Sequence, residues 1–445
     1  MSGASRLEVL KERDFLLFLS AKLLATLAGQ MVGVAVGWQV YALTGDVLAL
    51  GLVGLAQFAP FIVLILPAGQ VADRSQRSRI IGWCYTVQAV AASLLLAITL
   101  AELRTVGLIY AVLVLLGCAR AFMMPASQAV LINLVSRPRF AQAVALHSSS
   151  FHVAVIVGPL LGGVVYLAGA HAVYLSAALL FGCAMVLMRM VRGGRSAPPA
   201  ATAAGSGALF EGLRFVFSRP VVLGAISLDL FAVLFGGAVA LLPAIARDVL
   251  HVDTVGMGVL RAAPAIGAAL ASAFLVWRPL RRHVGLWMFG GVAVFGLATV
   301  VFGLSTSLPL SVAALALTGA GDMVSVYVRH ILVQHETPDE IRGRVSAVNS
   351  VFIGASNELG EFESGVTARW FGLVPAVVVG GMATLAVTAG WMRLFPTLTR
   401  MDAFPHQAAE AGAANHARRQ PAADSSTTRA QRPAAGVATC EDETT

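Results

Sequence analysis

The 445-residue chain is 58% hydrophobic and only 12% charged, with a mean hydropathy of +0.80, about half the charge expected of a soluble domain. So much apolar surface requires lipid as its solvent, which excludes a soluble enzyme, and excludes a nucleic-acid-binding domain despite a net charge of +8 and a pI near 9.8. The arginines sit in short loops between apolar runs, where membrane topology accounts for them.

Taken in order, residues 1–14 form a charged N-terminus without a cleavage site, so no signal peptide is expected. Six apolar runs follow at about 15–42, 47–71, 80–101, 105–126, 142–168 and 171–191. Six more lie at about 218–245, 256–277, 284–304, 308–330, 345–368 and 373–395. Each is long enough to cross a hydrocarbon core of about 30 Å. Backbone groups in lipid must pair within their own segment, so the runs are expected to be helices. The fold class is therefore an all-α polytopic membrane protein with twelve transmembrane helices. Residues 15–191 and 218–396 form two six-helix lobes. Residues 192–217 are a cytoplasmic linker with a short amphipathic helix near Leu209–Phe217, and 397–445 a disordered cytoplasmic tail rich in Ala, Arg, Thr and Pro.

The first dense charge cluster, Gly69 to Arg79, places Asp73 among Arg74, Arg77 and Arg79 between two membrane-length runs. With the N-terminus inside, arginines also fall inside at 137, 139, 192–219, 278–282, 342 and 344. Only Arg104, Arg247 and Arg369 fall outside. This bias puts both termini in the cytoplasm.

The halves repeat. Gly117-Cys118-Ala119-Arg120 matches Gly319-Ala320-Gly321-Asp322 at an offset of 202, as do His147-Ser148 with Asn349-Ser350 and Gly158-Pro159 with Gly360-Glu361. Gly54 and Ala59-Pro60 match Gly258 and Ala263-Pro264 at 204. Arg74 and Arg77 match Arg278 and Arg281, but Trp277 stands where Asp73 would be. A six-plus-six repeat is the architecture of a transporter whose two lobes rock about a central cavity.

On these residues the chain, up to about residue 396, resembles the major facilitator superfamily. The stretches Gly258–Pro264, Arg329–Val345 and Asn357–Gly365 resemble its branch of enterobactin exporters and macrolide-type efflux proteins. The resemblance implies that Gly69, Asp73, Arg74 and Arg77 act as a conformational latch, engaging the start of the eleventh helix near Arg342–Val345. Gly158, Pro159, Gly162 and Gly163 resemble the antiporter signature of that superfamily, with Ala154 at the preceding small position. That signature implies an exporter. Small residues also let helices approach closely, and proline bends the helix that carries it.

Among the charges within the apolar runs, Arg120, Asp229, Asp322, Glu358, Glu361 and Glu363 stand out. Each must face a cavity or a partner, because a charge in lipid is expensive. Glu358 and Glu361 share a helix face, whereas Glu361 and Glu363 do not. Arg120, Asp229, Asp322, Glu358 and Glu361 are the candidates for proton or substrate coupling. The carboxylates suit either proton exchange or a cationic substrate, and an internal polar network would also account for them. Trp38, Phe58, Phe235, Met123 and Met124 are candidates to line an apolar cavity. His147, His152 and His335 lack metal-ligand spacing, and the four cysteines lack any disulfide or metal pattern. No cofactor or metal is expected and no enzymatic constellation is visible.

The expected function is secondary active export of a small amphipathic molecule, a drug or siderophore, from a bacterial cytoplasmic membrane by proton antiport. The expected partners are substrate, protons and lipids, with no nucleic acid, and the expected state is a monomer. An importer or facilitator is the alternative within transport, and a non-transporting receptor the alternative outside it.

Overall fold

The structure is a computed structural model and describes residues 9–192, 206–280, 282–338 and 340–402. The N-terminal half is α1 (Arg13–Thr44), α2 (Val47–Arg74), α3 (Arg77–Leu100), α4 (Val106–Leu134), α5 (Phe140–Val165) and α6 (Ala170–Met190). A short α7 (Ser206–Ser218) leads into α8 (Pro220–Phe235), α9 (Thr254–Trp277), α10 (Val284–Leu304), α11 (Leu308–Glu336), α12 (Arg342–Phe371), α13 (Leu373–Leu394) and α14 (Pro396–Thr399). Among the described residues, eleven helical segments are long and apolar enough to cross a membrane. The remaining long helix, α12, has 30 residues but is too polar to qualify by composition.

The sequence repeat reappears as a repeat of contacts. In the first lobe α1 packs on α5 and α6, α2 on α4, and α3 on α4 and α6. In the second, α8 packs on α12 and α13, α9 on α11, and α10 on α11 and α13. Each pair maps onto its counterpart when the halves are exchanged. The interface between lobes obeys the same exchange, since α2 packs on α12 and α9 on α5.

The residues behind this symmetry are the small ones. A Cβ on Gly258 would stand 2.6 Å from the Pro159 carbonyl, and one on Gly54 would stand 2.7 Å from the Glu361 carboxylate. Gly158 lies against Gln30 of α1, and its counterpart Gly360 against Leu234 of α8. Gly117 lies against Gln57 and Pro60 of α2, and Gly319 against Pro264 of α9. Only hydrogen fits at these crossings, so the backbones approach as closely as helices in lipid must to gain dispersion energy.

Two sides can be distinguished. The near side holds the beginnings of α1 and α5, joined by Glu12 and Arg139 at 3.0 Å. The far side holds the end of α1 and the beginning of α2. There the lobes meet: Tyr41 donates to Asp248, Arg369 pairs with Asp46, and the Thr254 hydroxyl donates to the Gly163 carbonyl at 3.0 Å. Gly365 and Gly51 also face each other there, a Cβ on Gly365 lying 2.8 Å from the Gly51 Cα.

Three expectations change. The seventh span is not one helix to residue 245: α8 stops at Phe235, and the chain continues through a 3-10 turn at Ala238–Leu241 and a π turn at Ile245–Val249. Gly236 and Gly237 supply the break, and Pro243 has no amide hydrogen to continue the ladder. The amphipathic α7, expected near Leu209–Phe217, runs from Ser206 to Ser218 and packs on protein. Its Leu213 and Val216 pack with Val222, Val345 and Val348, and Glu211 pairs with Arg344 at the start of α12. Packed chain also extends past 396: Leu398 is buried against α8 and α10, and the Asp402 side chain accepts from the His283 amide at 3.0 Å. The expected linker residues 193–205 and tail residues 403–445 lie outside the described residues.

Gly258→Val is expected to wedge α9 from α5 and part the far side. In a cysteine-free background, spin labels at Leu103 and Thr306 should then move to longer separations. An unchanged distance distribution in a folded variant would mean that this crossing does not hold the far side shut.

Candidate functional site

A cavity of about 750 Å³ lies between the lobes. Every helix of the first lobe contributes to its wall, while the second lobe adds Ala240, Pro243, Arg261, Glu358 and Glu361. The break after α8 is what brings Ala240 and Pro243 there, in keeping with irregular backbone at membrane depth being tolerated where it lines a cavity.

The cavity's charges gather where the lobes part. Arg120 of α4 pairs with Glu358 of α12, bridging the two lobes. The Arg120 side chain is 50% exposed, towards the cavity, and Glu358 only 11%. The Arg120 guanidinium also lies over the Phe61 ring, 5.8 Å from its centre. Glu361, one helical turn beyond Glu358, fits its carboxylate against Gly54 of α2. Arg261 of α9 crosses to the other lobe, where its guanidinium would be 3.0 Å from a Cβ on Gly33 of α1. It lies within the electrostatic reach of both glutamates. Two guanidinium groups and two carboxylates from three helices thus form one cluster in the cavity wall.

The other predicted charges go elsewhere. Asp229 of α8 pairs with Arg329 of α11 inside the second lobe, with side chains 9% and 4% exposed, and it does not line the cavity. Asp322, the repeat counterpart of Arg120, does not line it either. The two are not brought face to face, because Arg120 has taken Glu358. Glu363 also falls outside the wall. Of the predicted apolar lining, Met123 and Met124 are present, while Trp38, Phe58 and Phe235 pack elsewhere.

Gly158, Pro159, Gly162 and Gly163 present two faces. Gly158 and Gly162 receive α1, the latter with a Cβ position 2.9 Å from the Met31 Cα, and Pro159 and Gly163 receive α9 across the interface. The predicted latch is only partly visible. Gly69 has open space around it, Arg77 takes part in interactions, and the side chains of Asp73 and Arg74 lie outside the described residues.

Sequence reasoning passed over Arg261, Lys22 and His147, all of which line the cavity. Arg261 was detectable by the same rule as Arg120, being a charge seven residues inside an apolar helix. Lys22 stands close enough to the inner end of α1 for its long side chain to reach the membrane surface, and His147 lacks metal-ligand spacing, so neither carries a signal in the sequence. Only the packing of α1 on α5 turns both inward. Among the described residues, no group of three His, Cys, Asp or Glu side chains is placed to hold a metal ion.

A family model described as transmembrane secretion effector matches residues 4–421. The chain belongs to this family of major facilitator transporters. It is 27% identical over 387 residues to the multidrug efflux pump Tap of Mycolicibacterium fortuitum, covering 82% of this chain and 91% of Tap. It is 28% identical over 339 residues to the enterobactin exporter EntS of Citrobacter koseri, covering 74% and 79%. The fold resembles that of a bacterial homologue of the lysosomal transporter Spinster, in an inward-facing and unoccupied conformation. The TM-score is 0.67 at 15% identity, covering 90% of this chain and 97% of that one. A POT family transporter bound to 5-aminolevulinic acid aligns with a TM-score of 0.69 at 11% identity, covering 87% and 97%. This family member is therefore a membrane transporter of a small molecule, and not an enzyme.

The buried Asp229–Arg329 pair is expected to carry stability. Asp229→Ala strands the Arg329 cation and should cost about 3–5 kcal/mol, whereas Asp229→Leu with Arg329→Met should lose much less. Thermal unfolding in detergent measures both.

Proposed function

We propose that this protein exports a small amphipathic organic molecule, a drug or siderophore, across a bacterial cytoplasmic membrane in exchange for protons. The near side is the cytoplasm, as its arginines require, and the conformation described here faces inward. The working unit is a monomer embedded in lipid. Export follows from the efflux relatives and from the antiporter-like crossing of α5 with α1 and α9.

The observation that carries proton coupling is the pairing of Arg120 with Glu358 across the lobes, beside Glu361, in the wall of the substrate cavity. Opening the far side separates α2 from α12 and α5 from α9, and pulls this cluster apart. A carboxylate that loses its guanidinium in a low-dielectric cleft binds a proton more readily. Protons arriving from outside neutralise Glu358 or Glu361 in the outward-facing state. When the lobes close again, the guanidinium groups return and displace the proton towards the cytoplasm. Substrate then binds to the deprotonated inward-facing form.

The near side needs its own restraint in the outward-facing state. We assign that role to Gly69, Asp73, Arg74 and Arg77, with the beginning of α12 as partner. In the inward-facing state Arg344 is engaged by Glu211 of α7.

In inside-out vesicles, Glu358→Gln with Glu361→Gln is expected to abolish substrate-dependent proton movement while leaving substrate binding measurable. Unchanged proton flux rejects the role of both carboxylates, and energised uptake by intact cells would favour an importer. Asp73→Asn should insert normally yet slow turnover by about tenfold, the loss of one charge-assisted contact. Full transport by that variant sinks the latch.

A further inference from the structure

The cluster of Arg120, Arg261, Glu358 and Glu361 is balanced in charge, with two cations facing two anions. The cavity holds one further charged side chain, Lys22 of α1. It lies nearer the near side than the cluster, eleven residues before Gly33, a distance of about 16 Å along the helix. Among the described residues Lys22 makes no ion pair. No carboxylate of α2, α3, α4, α5 or α6, the other helices of its lobe, lines the cavity. The acids at the start of α1 do not line it either, and Glu12 is paired with Arg139.

Two polar groups lining the same cavity share the lack of partners of Lys22. His147 of α5 is stacked on Phe18, with ring centres 5.7 Å apart, and its Nδ1 is buried without a hydrogen bond. Lys22 and His147 lie within electrostatic reach of one another. Gln88 of α3 lines the same cavity, and its side-chain oxygen is also buried and unpartnered. A buried polar group normally finds a partner, so two such groups in the wall of the cavity that holds the unpaired Lys22 describe a site built for something brought from outside. The same cavity has apolar wall in Met123, Met124 and Phe151.

We propose that the Lys22, His147 and Gln88 part of the cavity binds an acidic group of the transported molecule, with Lys22 as its counter-charge. The substrate class is an amphipathic organic acid: a carboxylate, phenolate or phosphate joined to an apolar, aromatic body. An ammonium group supplies three donors to such an anion, and the side-chain oxygen of Gln88 accepts from a hydroxyl or amide beside it. A cationic substrate would meet Lys22 unscreened, and the two glutamates of the cavity wall already face guanidinium groups. Substrate charge and transported proton thus occupy different parts of one cavity, the acid at Lys22 and the proton at Glu358 and Glu361. This assignment deepens the transport reading above and rests on it.

The test uses the full chain and two planar fluorophores of opposite charge, anionic fluorescein and cationic ethidium. Binding is followed by fluorescence polarisation on purified protein, and transport in inside-out vesicles. Wild type should bind and transport fluorescein in preference to ethidium. Lys22→Gln should weaken fluorescein binding by about tenfold or more, the loss of a charge-assisted contact, and Lys22→Arg should retain most of it. Gln88→Leu supplies a second variant should Lys22→Gln fail to fold, with weaker fluorescein binding again expected. Preference for ethidium, or fluorescein binding unchanged in folded Lys22→Gln or Gln88→Leu, overturns the proposal. Lys22-dependent fluorescein binding with no transport of either dye supports the site and counts against the transport reading alone.

Discussion

The arrangement of this protein depends on the fact that α12 cannot face lipid. It carries Glu358, Glu361 and Glu363 within its span, and each charge left in the hydrocarbon core would cost at least about 2.5–3.5 kcal/mol. The helix therefore turns these positions to protein, packing on α2 and α8 within the membrane and on α7 near its beginning. This packing places Glu358 and Glu361 at the boundary between the lobes, where they meet Arg120 and Arg261. The most polar long helix thus becomes both a wall of the cavity and one half of the interface that must open.

The two lobes are built alike, and the chemistry lies where the likeness fails. The crossing of Gly258 with Pro159 is repeated as the crossing of Gly54 with Glu361, so a carboxylate occupies the place of a proline. Arg120 reaches the cavity, whereas its counterpart Asp322 does not. The second lobe uses one intramembrane acid, Asp229, to bind Arg329 within itself. The first lobe turns Lys22, Gln88, Arg120 and His147 to the cavity. Common small residues keep the scaffold symmetric, and substitution of polar for apolar at equivalent positions gives the two lobes different tasks.

Closure on the far side is distributed over several modest interactions. Arg369 with Asp46 is a surface pair, and such pairs contribute little singly. The glycine crossings at 51, 54, 163 and 258 contribute dispersion over a long seam, and the Tyr41–Asp248 contact closes its edge. A seam of this kind can part without any one large barrier, which is what alternation between two states requires.

The sequence by itself determined the solvent, the helices, the side on which the arginines lie and the twofold repeat. These are properties of composition, segment length and spacing, and no long-range contact is needed to state them. It also picked out Arg120, Glu358 and Glu361, because a charge inside an apolar run has few places to go. It could not say which partner each charge would take. That Glu358 holds Arg120, that Asp229 holds Arg329 and that Lys22 and His147 turn inward depends on helix rotation and crossing. Rotation is set by where glycines on one helix meet backbone on another, often more than 100 positions away along the chain. The break after α8 was written in Gly236 and Gly237, yet glycine pairs are frequent within membrane helices. Only the close packing of Gly237 against Gly360, with a Cβ position 2.7 Å from the Gly360 carbonyl carbon, made this pair the place where the helix ends.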